Sequence, residues 1–228
     1  MTAEARSLTR KPTVAGELIH LSEGTVVQLS GVGPRRAGVA AKNLLEHGAT
    51  ALLSWGSAGA LVPILSPGSL VLPRLVIGAN QSSYPTNPSW HECLFNRLKG
   101  HVDLFQGTLA ESATVLKSPT EKRLLFERTG AIAVDMESGA VAEVAHEAHV
   151  PFMAIRTVAD SFNAAIPETS LAAVDEFGQL NFLKLLEGLL QRPLDLVPMI
   201  HLGRNFRAAQ VTLATVVRLA GNNFFVSQ

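Results

Sequence analysis

Cysteine is nearly missing from this chain. One residue, Cys93, stands among 228, which excludes an intramolecular disulfide framework and any cysteine-rich zinc site. Cys93 itself is expected to be a small, partly buried hydrophobe. An excess of either charge is missing too: 19 Lys and Arg balance 19 Asp and Glu. No general electrostatic case for nucleic acid or an anionic membrane follows from that balance. No run approaches the roughly 20 continuous apolar residues of a membrane span. The opening MTAEARSLTRK carries charges but lacks the apolar h-region of a signal peptide. A cytoplasmic protein is the expectation. The seven histidines form no H-E-x-x-H pair, and His146 and His149, three apart, have no evident third ligand. No metal and no organic cofactor are expected.

What is present is apolar surface. Apolar residues make up 47% and charged residues 17%, enough for a large core in one domain spanning residues 1–228. Short β-rich runs alternate with helical patterns. Strands are expected at Thr25–Gly31, Thr50–Gly56, Ser69–Ala79, Gly130–Met136 and Pro151–Ala159. Helices are expected at Arg35–Gly48, Trp90–Gly100 and Glu137–His149. Pro73 favours an edge or a bulge, and Gln81–Pro88 reads as a loop-like flap. From about Leu171 a helical C-terminal extension follows, interrupted at Pro193 and Pro198. Near-continuous apolar strands separated by helices imply a three-layer α/β/α fold around a mixed, mainly parallel sheet. Its strand C-terminal ends should then line one rim, where Glu137 and Asp160 would meet.

Three stretches could carry chemistry. SGVGPRRAG (Ser30–Gly38) is a glycine-rich strand-to-helix turn in which Gly31 and Gly33 allow close backbone approach and the helix start favours an anion or hydroxyl. Arg36 occupies the third glycine position of a dinucleotide-binding turn, and the acid expected about 20 residues later is missing, so NAD chemistry is disfavoured. WGSAGAL (Trp55–Leu61) reads as a second small-residue turn at a strand end, with Gly56, Ser57 and neighbouring N–H groups open to a ligand. It fits neither a P-loop nor G-x-S-x-G. RTVADSFN (Arg156–Asn163) places Arg156 and Asp160 four apart at a strand end, where a simple salt bridge between them is the plain alternative to a site.

Together, SGVGPRRAGVAAKNLL, GSAGAL, AVDMESGAVAEVA and IRTVADSFN resemble the superfamily of purine nucleoside phosphorylases and methylthioadenosine/S-adenosylhomocysteine nucleosidases over roughly residues 1–165. The D-M-E-S wording, SPTEK and the tail LLQRPLDLVPMIHLGRNFRAA look most like the hopanoid-associated phosphorylases. The resemblance implies cleavage of a purine nucleoside N-glycosidic bond, with adenosylhopane as a candidate substrate and phosphate or water as nucleophile. It implies that Asp160 protonates or hydrogen-bonds N7 of the purine, and that Glu137 binds the ribose hydroxyls with Met136 against the sugar. Ser57 and Gly56 would lie near the nucleophile, Gly33 at the glycine turn, and Arg156 would help hold the Asp160 region. Thr114 and Val115 would flank the base, and Glu4 would activate water. A small-molecule nucleoside, free or lipid-linked, is the implied partner, within a homo-oligomer like those its relatives form. Such roles fit the chemistry: a carboxyl delivering a proton to the departing base contributes about 10²–10⁴-fold, and a carboxylate on the ribose stabilises developing positive charge.

Three features depart from the family pattern. The family's first strand is expected to be missing, which would leave Glu4 on a fraying terminus. Ser54 stands where the hexameric phosphorylases carry an arginine for phosphate, leaving Arg35 and Arg36 as candidate phosphate contacts. Ala159 replaces the serine that precedes the acid in many relatives. The rival reading from another class is a catalytically silent nucleoside-binding or assembly protein, and an oxidoreductase is a distant third.

Overall fold

A computed structural model describes residues 2–9, 14, 16–165, 169, 187 and 191–221. Helix α1 (Thr2–Leu8) is followed by a separate antiparallel hairpin, β1 (Leu18–Ser22) and β2 (Thr25–Gln28). The strand expected at Thr25–Gly31 therefore ends early and stays outside the main sheet. The main sheet has eight strands in the order β6-β5-β8-β9-β3-β10-β4-β7. These are β3 (Leu52–Ala60), β4 (Leu70–Val71), β5 (Leu75–Ile77), β6 (Ser83–Pro85), β7 (Leu104–Phe105), β8 (Thr108–Glu111), β9 (Ala133–Asp135) and β10 (Phe152–Asp160). Parallel pairs outnumber antiparallel ones, as expected of a mixed, mostly parallel sheet. The one long strand expected at Ser69–Ala79 is instead two, split around Pro73, which cannot donate to a ladder. The expected flap at Gln81–Pro88 supplies the edge strand β6.

The helices form where their termini are satisfied. In α2 (Pro34–Glu46), Pro34 takes the first position, where no N–H is needed, after Gly33 at φ 97. Helix α3 (Pro88–Leu98) is capped by the Asn87 side chain accepting from the Trp90 N–H at 2.9 Å. Helix α4 (Pro119–Thr129), not anticipated from the apolar pattern, has a capping box between Ser118 and Glu121 and stops at Gly130, φ 65. Helix α5 (Ser138–Glu147) and the long α6 (Leu196–Ala220) complete the set, with a short 3₁₀ turn at Pro193–Asp195 leading into α6. Pro198 does not interrupt α6: it sits in the first turn, where a missing N–H costs nothing. The rest of the expected C-terminal extension, through most of residues 171–190, lies outside the described residues.

Strand β10 shows why three layers form. Phe152, Ala154 and Val158 pack with Ala142 and Ala145 of α5 and Ala41 of α2. The alternate residues Met153 and Ile155 pack with Trp90 and Leu94 of α3 and Leu213 and Val216 of α6. The period of two sends successive side chains to opposite layers. Burying both faces of such a strand removes apolar surface worth about 1.5–3 kcal/mol per large side chain. The C-terminal helix is thus a core layer rather than an appendage. Cys93, by contrast, is exposed on α3, contrary to expectation, because the core face of that helix falls on Trp90, Leu94 and Leu98.

Candidate active site

The expectation that β9 and β10 end on one rim does not hold. Strand β10 runs parallel to β3 and β9 antiparallel to it, so their C-terminal ends point opposite ways. The register still brings their acids to one stretch of β3. Val134 and Asp160 both pair with Gly59. Past Val134 the β9 chain runs back along β3, toward Gly56, and three residues later reaches Glu137. Three residues of strand span about 10 Å. The GSAG run, expected to be a turn, lies inside β3 and forms this stretch.

Its glycines make room for carboxylates. A Cβ at Gly56 would fall 3.1 Å from Glu4 Oε1 and 3.2 Å from Arg156 Nη1. A Cβ at Gly59 would fall 3.2 Å from Asp160 Oδ2. The small residues that weaken the strand's propensity are what admit two acids against it.

At the Gly56 end, Glu4 is 6% exposed and anchored. The Ser57 N–H and hydroxyl both donate to its Oε1, at 2.7 and 2.6 Å. The expected loose position on a fraying terminus is not what the chain adopts. Arg156 is fully buried and donates through Nε to Asp135 Oδ2 and through Nη2 to Ser54 Oγ at 2.6 Å. Ser54 also receives the Ser138 hydroxyl at 3.1 Å. Arg156 therefore does not hold Asp160: residues four apart on an extended strand lie too far apart to pair, and its partner is Asp135. Asp135 has a second task, accepting the Ser138 N–H at 3.2 Å at the start of α5.

Glu137 lies within electrostatic reach of this pair. Its Oε1 accepts the Gly33 N–H at 2.9 Å and its Oε2 the Met136 N–H at 3.2 Å, tying the glycine turn to the D-M-E segment. Burial and the neighbouring Asp135 charge push its carboxyl up to about 7, against the opposing pull of Arg156 and the Gly33 N–H. Of the two acids flanking Met136, Asp135 is structural and Glu137 is poised to titrate.

At the Gly59 end the register of β10 slips by one residue between Val158 and Asp160. Such a bulge re-aims the side chain that follows it. Asp160 is thereby placed beside Gly59 and paired with the buried ammonium of Lys122 at 2.8 Å. Burial raises its carboxyl above the ordinary aspartate range, and the Lys122 hydrogen bond and charge oppose that rise. Thr114 is exposed and Val115 half-buried in the loop after β8, where the Ser112 hydroxyl donates to the Thr114 carbonyl at 2.6 Å. That loop leads into α4, which carries Lys122. Lys122 does not stand out in the sequence, because a single lysine inside SPTEK gives no local sign of a partner 38 residues away.

Arg35 and Arg36 belong to the first turn of α2, and Arg35 lines an outer groove between α2 and α5, not the cluster around Glu4. Among the described residues no group of three or more His, Cys, Asp or Glu could hold a metal ion, and no helix is long and apolar enough to cross a membrane.

The architecture and this pair of acid clusters define a three-layer α/β protein with an acid-flanked strand at its centre. The profile of the phosphorylase superfamily matches residues 9–191, and the chain belongs to that superfamily. The 5′-methylthioadenosine/S-adenosylhomocysteine nucleosidase of Shewanella frigidimarina is 29% identical over 180 residues, covering 68% of this chain and 78% of that protein. Among solved structures, the nucleosidase of the same name from Neisseria meningitidis, in complex with methylthio-immucillin-A, is similar at TM-score 0.68 and 18% identity over 97% of this chain and 95% of that one. The futalosine hydrolase of Helicobacter pylori is similar at TM-score 0.67 and 18% identity, over 96% and 92% of the two chains.

Proposed function

We propose that this protein hydrolyses the N-glycosidic bond of an adenine nucleoside. The observation that carries this reading is the buried Glu4 carboxylate beside Gly56 and Arg156, its Oε1 accepting the Ser57 N–H and hydroxyl at 2.7 and 2.6 Å. A carboxylate so held can take a proton from water and favours the cationic sugar of an oxocarbenium-like transition state. Ser54, bonded into the same network, adds no positive charge where a phosphate would need one. The names of the relatives, nucleosidases and a hydrolase, agree.

In this mechanism the nucleoside lies along Gly56–Gly59 of β3. Gly56 and Gly59, which adjoin Glu4 and Asp160, are separated by roughly 10 Å of strand, a length comparable to a ribose plus purine. Glu137 takes the ribose hydroxyls beside Met136. Glu4, oriented by Ser57, accepts a proton from the attacking water. Asp160 delivers a proton to N7 of the departing adenine, with Thr114 and Val115 beside the base. Atoms balance: the C–N bond breaks, a C–O bond forms to water, and adenine leaves with the proton from Asp160. The protein acts as a homo-oligomer, as the resemblance implies.

The hopanoid-associated resemblance extends this to a lipid-linked nucleoside, adenosylhopane. The 3₁₀ turn and the start of α6 support that extension, because Leu194 is 91% exposed and Leu196, Val197 and Ile200 are exposed with it. Presented in vesicles, such a substrate should be cleaved faster than free 5′-methylthioadenosine.

Adenine release from 5′-substituted adenosines, assayed with and without phosphate, tests the main reading. Equal release in both conditions, lost at least a hundredfold in Asp160→Asn and Glu4→Gln, is expected. Release that requires phosphate would make the protein a phosphorylase. Binding without release would make it a silent nucleoside-binding protein.

A further inference from the structure

We infer that Lys122 is a positioning residue for Asp160: it ties the carboxyl and the chain after β10 into one geometry and directs the second carboxylate oxygen toward the purine. This rests on the proposed reaction for its chemistry, though not for its geometry.

Lys122 has no solvent exposure. Its ammonium donates to the Ser161 carbonyl at 2.6 Å and to the Ala164 carbonyl at 3.0 Å, and pairs with Asp160 Oδ2 at 2.8 Å. An ammonium has three hydrogens, and all three are used here. It therefore acts as a fixed post rather than a mobile charge. Two of its acceptors lie in the segment that leaves β10 immediately after Asp160, so the lysine clamps the backbone and the side chain together. With Oδ2 held, Oδ1 has no partner among the described residues. That oxygen is the one presented to a ligand. Gly59 opens the space, the bulge turns Asp160 into it, and Lys122 fixes the rotamer. Burying an ammonium costs several kcal/mol unless it is fully bonded, so the arrangement is a demanding one to maintain for packing alone. A leucine or methionine in α4 would pack at lower cost. Lys122 also replaces what Ala159 lacks, a hydrogen-bonding neighbour that orients the acid.

The test follows the Asp160 carboxyl by ¹³C NMR in the full chain, with its signal assigned by its loss in Asp160→Asn. Removing an adjacent cation raises a carboxylate's midpoint by about one to three pH units. In Lys122→Gln the Asp160 midpoint is expected to rise by at least about one unit, while Lys122→Arg restores most of it. The same Gln variant should lose at least about tenfold in kcat for adenine release with KM changed less than about threefold, as expected when a transition-state group is misplaced. An unmoved midpoint in Lys122→Gln, or an Arg variant no different from Gln, overturns the inference. If Lys122→Gln does not fold, stability is measured for Lys122→Met, Asp160→Asn and the double variant. Coupling between the two sites supports the inference and additive losses refute it. A wild-type protein that releases no adenine yet shows the midpoint shift would refute the proposed reaction and leave the clamp standing.

Discussion

Raising the pH from 5 to 8 should weaken this fold, and Glu137 should account for a separable part of the loss. Its carboxyl titrates near 7 in the folded chain, pushed up first by burial and then by Asp135, against 4.5 when unperturbed. The sign follows from proton counting. Between 4.5 and 7 the folded chain holds a proton that the unfolded chain has released, so stability falls as pH rises through that window. Below 4.5 both states are protonated and the cost vanishes. At about 1.4 kcal/mol per pH unit the full gap corresponds to about 3 kcal/mol. The Glu137 side chain is only part-buried beside the glycine turn, and solvent screening reduces the figure to a range of about 1–3 kcal/mol. Glu137→Gln removes the titration while keeping a group that can accept from Gly33. Urea denaturation of both proteins at pH 4, 5, 6, 7 and 8 provides the assay. The variant should match wild type at the lowest pH and exceed it by about 1–3 kcal/mol at pH 8. Asp160 and Glu111 are also raised, so the difference between the two proteins, rather than either curve alone, isolates Glu137. Parallel curves across the range would refute the reasoning. Function should run the other way: in the proposed reaction the ionised form is the one that would bind ribose hydroxyls, so nucleoside affinity in wild type should rise with pH up to about 7.

Three further outcomes follow from the geometry. Asp135→Asn removes the hydrogen-bonded carboxylate that acts most strongly on Arg156, with Glu4 and Glu137 still near, and should cost about 1.5–3 kcal/mol in chemical denaturation. Gly59→Ala places a methyl 3.2 Å from Asp160 Oδ2 and should lower kcat at least about tenfold with KM nearly unchanged. Glu111→Leu removes the carboxylate that accepts the Ala79 and Ala140 N–H groups at 3.1 and 2.8 Å; leaving two donors unmet should lower stability by about 2–4 kcal/mol in thermal or urea unfolding.

Sequence pattern was a good guide to several single elements, although it did not reveal α4, whose proline start, capping box and closing glycine are local. Helices α2 and α5 and strand β10 fall close to their expected bounds, because a 3.6 period, a proline at a helix start and an unbroken apolar run are local signals. Glu137 and the Gly33 turn were also visible as unlike their surroundings. What failed to show was decided by distant partners. Gly56 and Gly59 read as turn residues because nothing local says that Glu4 and Asp160 will fill the space they leave. Strand β9 has three residues, and its direction depends on pairing with both β8 and β3, which no local pattern records. Arg156 and Asp160, four apart in sequence, each took a remote partner instead, Asp135 and Lys122.

The central claim is that Glu137 and Asp160 hold the two ends of one nucleoside laid along Gly56–Gly59. A crystal structure with a non-cleavable adenosine analogue tests it most directly. The expected complex has the Glu137 carboxylate on the ribose hydroxyls and Asp160 Oδ1 on N7 of the purine, each within hydrogen-bond distance. A ligand bound elsewhere, or touching one of these acids while the other opens into a separate cavity, would contradict it.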